Sequence, residues 1–376
     1  MRTGPESAPA LAVLRAGLMS SIQDQGRPNM AAIALSRGGA VDPLAAATAN
    51  RLVGNNPDEA VLEVTGPGPR IEVPCDLWLA SFGARHELRA EGLGGHPLRT
   101  PLPLPLQRPF FLPAASVVHW DAPAAGWRSW IAVAGGIRND PVLGSRSAHL
   151  ASGIGPGKLV AGSTLALLHE VEAISRIRAR HLLGDAVYRR AQHHGQPAWP
   201  RWHLIEPIPQ GWPLIDLPVL EGRHWSRLDA ERRALLLEQP WAVSAQSNRQ
   251  GLRLEAVAGQ GKAIAVEGLG SLASEAVGLG TVQLPPSGAP VILLAEHQTT
   301  GGYLRVLEVA SAACGLLAQA CGRSRIRFHR IGLAAADAMA EAQATAHERL
   351  AAGLADHYRY CPDGAARGNP CTLDPP

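Results

Sequence analysis

Glycine and proline interrupt this chain so often that long regular elements have little room to form. Forty glycines and 31 prolines are spread through 376 residues. Between them run short apolar stretches rich in β-branched and aromatic residues: AVLEVTG at 60–66, RIEVP at 70–74, LWLASFG at 77–83, SVVHW at 116–120 and WRSWIAVAGG at 127–136. Turn residues bound a strand without harming it, whereas glycine or proline inside a helix costs stability. The pattern predicts a mainly β protein of short strands with few helices.

The chain is too long for one ordinary core and suits two domains. A break in texture falls where RIRARHLLGDAVYRRAQHHGQPAWPRWH begins: the stretch is polar, helical in part, and broken by Pro197 and Pro200. Read as a linker, it divides the chain into a first β-barrel over 1–175, a linker over 176–203, a second barrel over 204–335, and a helix with a loose tail over 336–376. Both halves share short strands and Gly-rich corners, which fits closed or nearly closed barrels better than a doubly wound sheet. Helices are predicted at 42–52, 311–321 and 332–354. The first has Asp42 as N-cap, Pro43 in the first turn and Gly54 just past its end.

Composition excludes several classes. Hydrophobic residues at 46% and charged residues at 18% predict a folded chain. A net charge of +3, with lysine only at Lys158 and Lys262, argues against nucleic acid; the basic run at 176–201 reads as a solvated face. Five widely spaced cysteines without CxxC predict neither a disulfide framework nor a zinc site, and no metal is expected. The opening residues lack a signal-peptide pattern, and no apolar run is long enough to span a membrane, so a soluble cytoplasmic protein is expected.

Each candidate motif also has an ordinary structural reading. GIGPGKL at 153–159 misses the phosphate-loop spacing and reads as a β-turn. AVAGGI at 132–137 lacks the third glycine of a dinucleotide fingerprint and reads as a tight corner, although paired glycine amides can also face an oxyanion. QTTGGY at 298–303 ends an apolar strand, where polar groups converge. Gln298 offers donor and acceptor, Thr299 and Thr300 add hydroxyls, Gly301 and Gly302 expose amides, and Tyr303 adds a ring. Such a set can bind a planar amide, and it can also be a simple turn. QSNRQGLRLE at 246–255 carries Arg249 and Arg253, either an anion clamp or structural partners of nearby glutamates. There is no GxSxG or HExxH, and neither lysine stands in a biotin-attachment context.

Taken in order, these blocks resemble a known family. LRAGLMSSIQDQGRP at 14–28 is similar to its GxxTxVQDxGRxG opening. SRGGAVDPLAAATANRLVGNNPDEAVLEVTGPGPRIEV, WIAVAGGI, VLGSRSAHL, VSAQSNRQGLRL and SEAVGLGTVQLPPSGAPVILLAEHQTTGGYLRV follow, so the resemblance runs from about Leu14 to Phe328. The family is that of biotin-dependent carboxyltransferases, which includes allophanate hydrolase subunit 2, the C subunit of 5-oxoprolinase and the carboxyltransferase part of urea amidolyase. This chain departs from the family pattern at Gly38, Val41, Glu296, His297 and Leu304, and in GIGPGKLVAGS the usual arginine and aspartate are missing.

The resemblance implies two cyclophilin-like β-barrel domains. It implies one component of an ATP-dependent amide- or lactam-processing hydrolase, foremost the opening of 5-oxoproline to glutamate. The implied partners are an allophanate hydrolase subunit 1-like protein and a lactam-utilisation subunit. ATP would act in the complex, and biotin, if used, would be carried by another chain, with no group covalently attached here. Two alternatives follow from the same family: carboxyl transfer from carboxybiotin to urea, and non-catalytic binding of a kinase inhibitor. On the lactam reading Gln298, Thr299 and the Gly301 and Gly302 amides would stabilise charge on the amide oxygen, with Glu296 as base. Arg249 and Arg253 would hold an anionic group. Gln23, Asp24 and Arg27 would line the cleft, and Asn248, Gln283, Thr300 and Tyr303 would complete substrate binding.

Overall fold

A computed structural model describes residues 8–204, 214–259, 261–269 and 272–359. The architecture is mainly β. The first half forms a nine-stranded sheet from strands between Ala10 and Ala166. The second half is a closed barrel. Its order is Leu214–Glu221, Leu304–Val309, Thr281–Leu284, Val291–Leu293, Gly251–Ala256, Trp241–Val243 and Arg325–Arg330. Closure comes from a parallel pairing of the first and last strands in which Ile215 faces Ile326 and Leu217 faces Phe328. Closing the sheet removes its edges, so no backbone ladder is left open to solvent.

Two strands are far longer than the punctuation predicts. Leu77–Leu93 and Val117–Val133 each run 17 residues and pair antiparallel with one another. Their register slips at Gly83/Arg85, Arg85/His86, His86/Leu88 and Ala90/Gly92. Bulges bend and twist a strand without ending it. Gly83, at φ +120°, is one bend point: a Cβ there would lie 2.5 Å from the Arg128 carbonyl.

The helix Pro43–Leu52 starts where its capping signals lie. The Asp42 carboxylate accepts from the Leu44 and Ala45 amides at 3.1 and 3.0 Å, filling donors that the first turn leaves unpaired. At 311–321 the chain forms a 3-10 turn, Ser311–Ala313, and a short helix, Cys314–Ala318. The segment read as a linker forms two helices, Val171–Leu183 and Asp185–His193. Ala179 and Tyr188 of these helices are fully buried in a core shared with Trp78, Phe111 and Trp130. Their polarity belongs to the outer face only, so this stretch packs as part of the first half.

Three apolar cores result, one in the sheet, one in the barrel, and one at their junction. The junction core includes Ala46, Ala49 and Trp130 from the first half, Ala295 and Ala318 from the second, and Leu354 from the last helix. That helix, Leu333–Arg359, lies where a helix over 332–354 was expected and runs five residues further. It straps the halves together: the Gln343 amide donates to the Ala312 carbonyl, and the Tyr358 hydroxyl donates to the Leu52 carbonyl and accepts from the Trp78 indole. The cysteine-containing tail, expected to be loose, lies outside the described residues.

Candidate functional site

The barrel turns one end toward the sheet. The loops at that end are 244–250 and 294–299, tied together by backbone bonds from the Leu294 and Glu296 amides to the Gln250 and Arg249 carbonyls. Arg249 points from this end into the junction and is almost wholly buried, at 2% exposure. Its Nε donates to Glu296 at 2.6 Å, its Nη1 to Glu63 of the first sheet, and its Nη2 to the Gly39 carbonyl. The other oxygens are also committed. Glu63 Oε2 accepts from the Val41 amide and the Trp130 indole, and Glu296 Oε2 accepts from the Ala151 amide. Burial would lower the Arg249 pKa, but the two carboxylates carry it above the ordinary arginine value. Gly39 sits at φ +81°, where a Cβ would lie 2.7 Å from the Gly26 amide nitrogen, so only glycine lets the 24–26 turn close on this loop.

This geometry corrects two of the expected roles. Arg249 does not present itself to a substrate anion, because it is sealed from solvent and two carboxylates and a carbonyl engage its Nε, Nη1 and Nη2. Glu296 has both oxygens engaged inside the junction, so it is not an available base. The expected arginine pair does not converge either. Arg253 is exposed on the outward face of Gly251–Ala256, while Arg249 is sealed.

The first-half residues behave similarly. Gln23 is buried and donates to Ser21 and the Ala148 carbonyl. Asp24 accepts from the Gly26 and Arg146 amides and from the hydroxyls of Ser145 and Ser147. Arg27, with no exposed surface, donates to the carbonyls of Val142 and Ser147. These three brace the 142–148 loop and do not line an open cleft. The GIGPGKL run closes against the same bracket: a Cβ on Gly155 would lie 2.4 Å from the Ser147 carbonyl oxygen. Asn248 is exposed and caps its own turn through the Gln250 amide.

The 298–303 corner is built differently. Thr300–Gly301 pairs with Glu275–Ala276 in a small ribbon, and the Val277 amide donates to the Thr299 carbonyl. Arg305 anchors that ribbon by donating to the Glu275 carboxylate at 2.6 Å and the Ala276 carbonyl at 2.8 Å. Gln298 is exposed, and its Nε2 donates to Gln283 Oε1 at 3.2 Å. Gln283 is 1% exposed, and its Nε2 has no hydrogen-bond partner. Gly301 packs directly on that amide, since a Cβ would lie 2.4 Å from Gln283 Nε2. A buried donor without a partner costs about 1–3 kcal/mol, a cost that a bound acceptor, ligand or water, removes. Gly302 and Tyr303 are exposed beside it. Burial lowers the His297 pKa, and the contact of its Nδ1 with the Gln298 carbonyl, at 2.6 Å, opposes that shift.

Sequence reasoning missed His149. It is buried between two hydroxyls, with Nε2 2.9 Å from Ser36 Oγ and Nδ1 2.8 Å from Ser152 Oγ. Burial lowers its pKa, and Glu296 opposes that shift. Nothing local marks a lone histidine in VLGSRSAHL. Glu63 did leave a signal, a carboxylate inside the apolar strand Val61–Thr65, which is buried throughout.

Comparison with known proteins gives consistent results. The model of the family "Carboxyltransferase domain, subdomain A and B" matches residues 33–330. The C subunit of the Escherichia coli K12 5-oxoprolinase is 32% identical over 309 residues, covering 82% of this chain and 87% of that protein. A crystal structure of TTHA0988 is 30% identical with a TM-score of 0.66, covering 88% of this chain and 57% of that one, so this chain spans little more than half its length. The Kluyveromyces lactis urea amidolyase shares the fold at 20% identity and a TM-score of 0.73, over 93% of this chain and 20% of that enzyme. By the extent of the family match, the chain belongs to the carboxyltransferase domain family built from subdomains A and B.

Proposed function

We propose that this chain is the C-type component of an ATP-dependent 5-oxoprolinase, a hydrolase that opens a five-membered lactam to an amino acid. The observation that carries the reading is the unpartnered Gln283 Nε2 beside the exposed Gln298 carboxamide. A lactam presents one carbonyl acceptor and one N–H donor side by side, and two carboxamides match that pair. Gln283 Nε2 would donate to the lactam oxygen, and Gln298 Oε1 would accept from the ring nitrogen. Thr299, Thr300 and the amides of Gly301 and Gly302 would complete the lining. The relationship to the Escherichia coli protein supports this substrate class.

Opening an amide builds negative charge on its oxygen. A donor already fixed in place stabilises that charge without reorganising, and each such donor contributes about 3–4 kcal/mol. The Arg305–Glu275 ribbon would supply the rigidity. ATP would supply the free energy that drives the lactam open. The residues at 152–159 do not suit a nucleotide, because they pack on the Arg27 bracket, so ATP binding is assigned to a companion protein of the complex. That companion would be an allophanate hydrolase subunit 1-like protein, with a lactam-utilisation subunit as a further partner, in the cytoplasm. Among the described residues no helix is long and apolar enough to cross a membrane.

The test is reconstitution with these companions. Consumption of 5-oxoproline should require ATP and all subunits, and Gln298→Ala should abolish it while complex assembly persists. Carboxylation of urea by the same mixture with carboxybiotin, and no lactam turnover, would favour the carboxyl-transfer reading instead.

A further inference from the structure

A second recess opens on another part of the junction, away from the 298–303 corner. It encloses about 430 Å³ and is lined by both halves: Leu18 and Trp127 from the first sheet, Ser244, Ser247 and Cys321 from the barrel, with Arg128 among them. Recesses of this size between domains are where small molecules usually bind.

Arg128 is the unusual residue. It is 2% exposed, yet its side chain takes part in no ion pair among the described residues. Its Nη1 donates to the Ala318 carbonyl, and its Nε is buried without a partner. The carboxylate that acts on it is Glu63, whose oxygens are already taken by Arg249, Val41 and Trp130. Burial pushes the Arg128 pKa down to about 10, so it remains a cation at neutral pH. A desolvated guanidinium without its own counterion is costly, and an incoming anion would offset that cost. Its backbone is clamped on both sides by Gln319, which accepts from the Trp127 and Arg128 amides and donates to the Arg128 carbonyl, so the group is held in place before any ligand arrives.

The walls limit what the anion can be attached to. Leu18 is 61% exposed at the mouth, and the Trp127 indole stands beside it against Gly66. These surfaces suit a flat apolar body. Ser244 Oγ accepts from the Gln246 amide, which leaves its own proton to donate. Cys321 is not a nucleophile here, because burial raises its thiol pKa.

We propose that this recess is a binding site for a small organic carboxylate with a flat apolar ring, the carboxylate on Arg128 and Ser244 and the ring against Trp127 and Leu18. The site is separate from the Gln283–Gln298 corner, and the proposal does not rest on the lactam reading. Because both halves line it, an occupant would bridge them and raise the thermal midpoint.

The experiment uses benzoate and its neutral analogue benzamide with the full chain, read by calorimetry and by thermal shift. Benzoate should bind one to one and stabilise the protein, and benzamide should bind about tenfold more weakly, as expected for loss of one charge-assisted contact. Arg128→Gln should abolish the preference for benzoate. Should that variant fail to fold, Leu18→Glu removes part of the apolar wall and adds a negative charge at the exposed mouth, so it should weaken benzoate binding more than benzamide binding. Equal affinity for the two probes, no benzoate binding at millimolar concentration, or wild-type benzoate binding by Leu18→Glu would each overturn the proposal.

Discussion

Arg249 of the barrel donates to Glu63 of the sheet, a residue 186 positions away, and to Glu296 of its own domain. The two carboxylates belong to opposite halves, so a single guanidinium joins them. All three side chains are nearly inaccessible to water. Breaking such a pair strands a buried charge, at a cost of about 3–5 kcal/mol. Arg249→Ala is therefore expected to lower stability by that amount in chemical denaturation. Removing all three charges, with Arg249→Met in combination with Glu63→Gln and Glu296→Gln, should recover a substantial part of the loss. A stable, fully folded Arg249→Ala protein that lacks only activity would return this residue to a substrate-binding role.

Gln298→Ala should behave in the opposite way. The side chain is exposed, and its described hydrogen bond is a single long one to the Gln283 carboxamide beneath it. Such a bond contributes about 0.5–1.5 kcal/mol, so the melting point should shift by only a few degrees. Turnover of the reconstituted complex should fall by roughly 10²–10³-fold, the range for removal of one preorganised group. Steady-state kinetics and a melting curve on the same preparation check both halves of this prediction.

Gly301→Ala probes the packing beneath that corner. The new methyl group would meet Gln283 Nε2 at 2.4 Å and Gln298 Nε2 at 3.5 Å. Carboxamide ends can rotate away, so the cost in folding should be modest, about 1 kcal/mol. The expected result is a raised KM in a well-folded protein. Adding Gln283→Ala should relieve the overlap and return the melting point without returning activity.

A pH effect follows from His149. Burial holds its folded-state pKa below the ordinary 6.5. The unfolded chain therefore takes up a proton that the native protein resists, and stability falls as pH drops below 6.5, until the folded-state pKa is passed. Glu296 opposes the shift, while Arg27 and Arg249 reinforce it. His149→Gln should flatten the loss of denaturation midpoint between about pH 7.5 and about pH 5.5. The slope should not vanish, because burial also depresses His86 and His224. An unchanged slope would show that His149 titrates alike in the folded and unfolded chains.

Local chemistry made part of this molecule legible. The Asp42 cap and Pro43 are neighbours in sequence, so the start of Pro43–Leu52 could be read directly. The 298–303 corner follows an apolar strand and was readable for the same reason. Contacts that depend on distant pairing were not. Arg249 looked like a ligand-binding arginine because Glu63 lies in another domain. Gly83 looked like the end of a strand because bulges leave no mark in periodicity. The helices over 171–193 looked like a linker because their buried apolar residues, Val171, Ala179, Tyr188 and Ala191, are too sparse to produce an apolar stripe. Arg128 gave no sign at all: an arginine between two tryptophans in WRSW reads as a strand exterior, and only folding reveals that it faces inward.

The central claim is that the paired carboxamides of Gln283 and Gln298 recognise a lactam. The most direct measurement is glutamate release from 5-oxoproline by the reconstituted complex, comparing wild type with Gln283→Leu and Gln298→Ala. Wild type should release glutamate only with ATP, and both variants should assemble with their partners yet release almost none. Undiminished release by both variants would contradict the claim.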